Sequence, residues 1–201
     1  AMPPQLREPA LDLKSLQKMS LSLSQLQDRL PAFHSSVAYR LVESETDAPI
    51  AETFDEFASE PVAAASIAQV HRGKLCDGRE VAVKLLRPNI ERRMRADTLL
   101  FFALANIMEW VAPGLRRLKL VTAVEHFVEI SDIELDLRME AAAAGRLADN
   151  LRDDEGIYVP WVDLDRSTSR MLIIEWIDGI RIDDVPALKA AGHDIHHLTE
   201  A

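Results

Sequence analysis

Leu16, Met19, Leu23, Leu26 and Leu30 recur at the spacing of one helix face, and Pro31 ends the run. Shorter helices are predicted over 36–45 and 50–57. The period then drops to two. Val70, Arg72 and Lys74 alternate with His71, Gly73 and Leu75, Asp77-Gly78 supplies a turn, and 80–84 returns, so a β-hairpin is predicted. Pro88-Asn89 opens a long helix to about Val111, which Pro113-Gly114 breaks; a second long helix is predicted over 122–151. Segments 158–164 and 170–177 read as strands joined by Asp165-Arg166-Ser167, and Asp178-Gly179 closes the second. Helices over 183–191 and 195–201 complete the chain. A small antiparallel sheet with helices beside it is an α+β fold.

The most apolar run, 99–112, is shorter than the roughly 20 residues a membrane span needs and contains Asn106 and Glu109. It reads as a buried helix, and the chain reads as soluble with no signal peptide at its start. Net charge is −10, unevenly spread: residues 72–119 carry eleven basic and five acidic groups, while the remainder carries twelve and twenty-eight. The basic block is either a face for nucleotide phosphates or a membrane surface, or a solvated helix start. The overall acidity excludes nonspecific nucleic-acid binding. The single cysteine, Cys76, excludes an internal disulfide, fits a reducing compartment, and reads as a plain turn residue with no activating partner.

Candidate chemistry centres on 61–84. Ala63, Ala64, Ala65 and Ser66 form a small-residue loop ahead of the hairpin, and its second strand ends on Lys84. A loop of small residues over nucleotide phosphates, followed by a strand lysine, is the layout of a protein-kinase N-lobe. The loop is alanine-rich where a kinase has glycine, and taken alone it reads as a helix start or a tight packing turn. A lysine that bridges phosphate oxygens needs a carboxylate to hold it, and Glu134, Asp136 and Glu140 are the candidates. On one continuous helix Asp136 and Glu140 share a face, while Glu134 lies about 120° from Glu140, so the three cannot converge. Gln69 is a candidate beside the loop or a structural residue; His71 reads as a satisfied or exposed strand histidine. His193, His196 and His197 hint at a metal, but no metal site is expected. No Ser-His-Asp or Cys-His arrangement is present.

PVAAASIAQVH with GREVAVKLLRP resembles the UbiB family of atypical kinase-like proteins, which support ubiquinone (coenzyme Q) biosynthesis. SDIELDLRMEAAAAGRL over 131–147 is similar to the family's ExD helix, YVPWV over 158–162 to its next strand, MLIIEWIDGIRIDDV over 171–185 to its hinge strand, and SQLQDRLPAF over 24–33 to its upstream segment. The resemblance implies that Glu140 is the helix-C glutamate paired with Lys84 and that Glu134 and Asp136 form the ExD motif. It further implies that Glu175, Trp176 and Ile177 meet adenine through their backbone and that Ile174 gates the adenine pocket.

Two departures stand out. The family's KxGQ motif is absent and residues 1–23 match poorly, with Ala1-Met2 reading as a cloning remnant. The family's catalytic-loop and metal-binding aspartates are expected beyond Ala201. The organisation expected is a helical extension over 1–57, a kinase-like N-lobe over 58–182 with a helical insertion over 89–151, and the start of C-lobe helices over 183–201. ATP with Mg2+ is expected in a longer parent at the cytoplasmic side of the inner membrane, with lipid or ubiquinone-biosynthesis proteins as partners. The chain alone is expected to lack turnover, and either to dimerise through Leu188, Ile195 and Leu198 or to leave that tail mobile. Rival readings are a noncatalytic pseudokinase-like scaffold for a protein or membrane, and an aminoglycoside-kinase-like phosphotransferase.

Overall fold

The computed structural model describes residues 31–154 and 156–194; the predicted helix over 16–30, the helix over 195–201, His196, His197, Ile195 and Leu198 lie outside them. The described chain runs α1 (Ser35–Thr46), α2 (Ile50–Thr53), β1 (Phe54–Phe57), β2 (Ala63–Ala64), β3 (Ala68–Leu75), β4 (Glu80–Leu86), α3 (Ile90–Val111), a 3-10 turn (Pro113–Leu118), α4 (Leu120–Glu134), α5 (Leu137–Asn150), β5 (Met171–Glu175) and α6 (Val185–Ala190). The sheet is antiparallel in the order β1-β3-β4-β5, with β2 beside β3. This is the α+β arrangement expected.

The β3–β4 hairpin holds seven paired positions from Ala68↔Leu86 to Lys74↔Glu80. Its turn works because Gly78 takes φ 89°, open to a residue without a Cβ, and because Asp77 Oδ1 accepts the Arg79 amide at 3.1 Å. Residues opposite each other in the ladder share a face, so alternate positions divide the sheet in two. Leu75, Val81, Val83, Leu85, Met171 and Ile173 face one side and pack with Phe54 and with Ala38, Leu41 and Val42 of α1. Ala68, Leu86 and Leu172 face the other side and pack with Ile90, Leu135, Leu137 and Ala141, with Ile174 at the edge. Both faces are covered, and the sheet is the shared wall of two cores.

Four expectations are corrected. Only 50–53 of the predicted 50–57 helix is helical: Phe54 turns into a strand, is 3% exposed, and fills the first core, so the sheet begins upstream of residue 58. The helix predicted over 122–151 is two helices, interrupted at Leu135-Asp136. The strand predicted over 158–164 makes a single bridge, Val162↔Ile174. Pro160 has no N–H to give a ladder, and Asp163 folds the chain over by accepting the Arg166 amide on Oδ1 at 3.2 Å. The 99–112 run is not buried: Leu99 is 72% and Trp110 78% exposed, because α3 meets little besides α4, where Phe101 and Phe127 stack edge-on at 5.8 Å.

No described helix is long and apolar enough to cross a membrane. Leu188, expected on an exposed stripe, is 6% exposed.

Candidate functional site

Strand pairing sets one row straight across the sheet: Ala63, Val70, Lys84 and Leu172 are successive partners. Lys84 therefore projects from the same face as Leu172 and Ile174, toward α5. Its Nζ donates to Glu140 Oε2 at 2.6 Å, and the lysine side chain is 28% exposed. The two groups sit 56 residues apart and meet because α5 is anchored by Leu137, one turn before Glu140, and by Ala141, the residue after it. Leu137 is 1% and Ala141 3% exposed in the second core, which turns Glu140 to the sheet. The Leu137 amide adds a bond to the Ser169 carbonyl at 2.9 Å, fixing the start of α5 to the approach to β5.

Glu134 and Asp136 do not join the pair. The phase of a continuous helix does not explain this, since the helix stops between them and Glu140. Glu134 is the last residue of α4, and Asp136 caps α5, accepting the Arg138 amide on Oδ1 at 3.1 Å. Arg138 also grips both Asp136 oxygens, Nη2 reaching Oδ2 at 2.6 Å, and so holds that carboxyl below its ordinary range. Glu134, Asp136 and Glu140 line a common cleft of about 440 Å³ with Met139 and Arg146.

The alanine loop is a narrow hairpin. Ala63 and Ala64 pair with Val70 and Gln69, and the Ala65 amide donates to the Ala68 carbonyl at 2.9 Å. Arg87 pins it from β4's end, Nε donating to the Ala65 carbonyl and Nη1 to the Pro31 carbonyl, both at 3.0 Å. Ala64 is buried at 8% exposure; Ala63, Ala65 and Ser66 are exposed. Of the four loop residues, Ser66 alone presents a hydroxyl, and it lies at the outer turn.

Gln69 is corrected. It stands on the opposite face from Lys84, is 0% exposed, and belongs to a buried polar chain rather than to the loop's open side. The Phe33 amide donates to Gln69 Oε1 at 3.1 Å, Gln69 Nε2 meets His71 Nε2 at 2.7 Å, and His71 Nδ1 meets the Ala58 carbonyl at 2.8 Å. The chain is consistent with one tautomer, in which Nδ1 carries the proton and Nε2 accepts from the amide. Burial lowers the His71 pKa, and Phe57 stacks on its ring at 4.9 Å.

At the strand end, Ile174 is half-buried beside the second core, on the Lys84 face. Glu175 turns to the other face. Tyr158 Oη donates to Glu175 Oε2 at 2.6 Å, and the Trp161 amide donates to the same oxygen at 3.3 Å. Of the three residues expected to meet adenine, two have their amides committed elsewhere, Glu175 to the Trp161 carbonyl at 2.9 Å and Trp176 to the Glu80 carbonyl at 3.1 Å. That leaves Ile177 and the strand-end carbonyls as the open backbone groups. Sequence reasoning missed Arg72, whose guanidinium lies 4.7 Å over the Trp176 ring and pairs with Glu80. It also missed Arg79, which lies 4.5 Å over Trp161 and reaches Asp163 Oδ2 at 3.4 Å. Alternation placed both on a strand or turn, but no local pattern names an aromatic partner 80 or more residues away.

Cys76 donates its thiol to the Glu52 carbonyl at 3.5 Å, and desolvation with nearby Asp55 raises its pKa, which keeps it protonated. Among the described residues no cluster of three His, Cys, Asp or Glu side chains is placed to hold a metal ion.

Residues 25–201 match the ABC1 atypical kinase-like domain. The chain is 42% identical over 182 residues to the probable protein kinase UbiB of Marinobacter nauticus, covering 90% of this chain and 33% of that protein. It is 37% identical over 179 residues to the probable protein kinase UbiB of Shewanella piezotolerans, covering 89% and 33%. It thus spans about a third of the length of the curated relatives it matches. Among solved structures, the complex of Rv3197 with erythromycin from Mycobacterium tuberculosis superposes with a TM-score of 0.66 at 30% identity, over 84% of this chain and 41% of that one.

Proposed function

The chain belongs to the ABC1 atypical kinase-like family, and on that premise we propose that it forms the nucleotide-phosphate half of a kinase-like ATPase serving ubiquinone biosynthesis at the cytoplasmic side of the inner membrane. The observation that carries the reading is the 2.6 Å pair between Lys84 Nζ and Glu140 Oε2. A glutamate on a helix holds a strand ammonium in place, and the ammonium is left with donors for phosphate oxygens. In this reading the Ser66 hydroxyl and the exposed turn cover the phosphates, Ile174 borders the adenine, and the Ile177 backbone meets its edge. Mg2+, when bound, would neutralise phosphate charge; among the described residues no cluster of three His, Cys, Asp or Glu side chains is placed to hold it. Glu134, Asp136 and Gln69 have no phosphate contact in this scheme.

The test is ATP-dependent thermal stabilisation of a protein that carries this chain together with the metal ligands. ATP with magnesium should raise the melting temperature, and Lys84→Ala should remove most of that rise. This chain alone should show weak nucleotide affinity and no steady turnover. A longer protein that ATP does not stabilise would overturn the reading.

A second reading, a scaffold that engages a partner protein or a membrane, is favoured by a separate observation: α3 and α4 together bare Leu99, Leu100, Leu104, Ile107, Trp110 and Ile130 to solvent. It predicts that removing these side chains abolishes partner binding while Lys84→Ala does not.

A further inference from the structure

We propose that Asp136 is a positioning residue for the Lys84–Glu140 pair, acting as the cap that fixes where α5 begins. Two residues, Leu135 and Asp136, separate the end of α4 from the start of α5. Asp136 is extended, at φ −117° and ψ 96°, and its carboxylate takes the Arg138 amide, one of the orphan donors of the first turn. Its carbonyl takes the Met139 amide at 2.9 Å. The pairing glutamate lies one turn further on, four residues from the cap. Flanking the cap, Leu135 is 9% and Leu137 1% exposed, both in the second core. The start of α5 is therefore held by two buried leucines and one carboxylate, and the phase of Glu140 follows from that start.

The same geometry argues against a direct role for the Asp136 carboxylate at a ligand. Arg138 Nε reaches Oδ1 at 2.9 Å and Nη2 reaches Oδ2 at 2.6 Å, so both oxygens are engaged.

The inference concerns how the lysine–glutamate pair is built, and its test needs no nucleotide. The readout is the rate at which an amine-selective acylating reagent modifies Lys84, followed by peptide mass spectrometry on the chain itself. Glu140→Gln frees the lysine and sets the upper rate. Asp136→Ala should raise the rate toward that limit, by about fivefold for a cap of ordinary strength. Asp136→Asn and Asp136→Ser, which cap as well as aspartate, should label as slowly as the unaltered chain. Arg138→Ala should also stay within about twofold, because the backbone amide of residue 138 remains. The double change Asp136→Ala with Glu140→Gln should label no faster than Glu140→Gln alone.

An Asp136→Asn chain that labels as fast as Asp136→Ala would overturn the proposal in favour of the aspartate charge. So would an Arg138→Ala chain that labels like Glu140→Gln, or an Asp136→Ala chain that is folded by circular dichroism and labels at the unaltered rate. If Asp136→Ala does not fold, the asparagine, serine and Arg138 variants decide. Failure of ATP to bind would remove the proposed function and leave this result standing.

Discussion

His71 gives the fold a dependence on pH. Burial lowers its pKa from 6.5, outweighing the Ala58 carbonyl and the charge of Glu60, which both raise it. The folded state thus prefers neutral imidazole. Stability is fully present above about 6.5 and falls as pH drops below it, because the unfolded chain takes up a proton that the folded chain refuses. The slope is at most about 1.4 kcal/mol per pH unit for one such group. Urea denaturation at pH 7.5 and 5.5 should show this loss, and His71→Phe should flatten it. The carboxylates held low by arginine, Asp77, Asp136 and Asp183, lose their contribution only in a separate window, below their ordinary 3.8. At this scale Lys84 and Glu140 were legible because each sits in a distinctive local string. Gln69 was not, because β3 is covered on both faces, and alternation gives two sides of a strand without saying which one a ligand would use.

Among the elements, α5 is the one whose placement decides the site. Leu137→Ala removes a side chain from the second core at the helix's first turn, and should cost about 2–4 kcal/mol in chemical denaturation. Met139→Ala, on the exposed side at 45%, should change stability by less than about 0.5 kcal/mol. The β3–β4 hairpin could be read from sequence since its alternation, its Asp77-Gly78 turn and its partner strand are all local. The break at Leu135-Asp136 could not. Apolar residues continue on either side of it, and the interruption comes from distant groups: Leu135 and Leu137 enter a core built by β3, β4 and β5. Tyr158 to Leu164 was misread for a similar reason, since its apolar content packs against the sheet edge while its polar groups bond Arg79, Arg166 and Glu175.

The whole molecule combines a doubly covered sheet with a bare helical hairpin. Sedimentation velocity should show this chain associating as its concentration rises, through α3 and α4. Replacing Leu99 and Trp110 together with glutamine should shift it to monomer with no loss of melting temperature, since neither side chain packs in a core. A monomer at every concentration would mean that the bare hairpin does not drive self-association.

The gap of two residues between α4 and α5 has a bearing on how such a chain can change in length. In an unbroken α-helix, each residue inserted upstream turns everything after it by about 100°. A single insertion in the hairpin would then swing Glu140 away from Lys84, and two would place it on the far side. Because α5 takes its phase afresh from Asp136 and the leucines beside it, that rotation stops at the break. The hairpin is free to gain or lose residues, and so to fit differently shaped neighbours, while the ammonium and carboxylate keep their alignment.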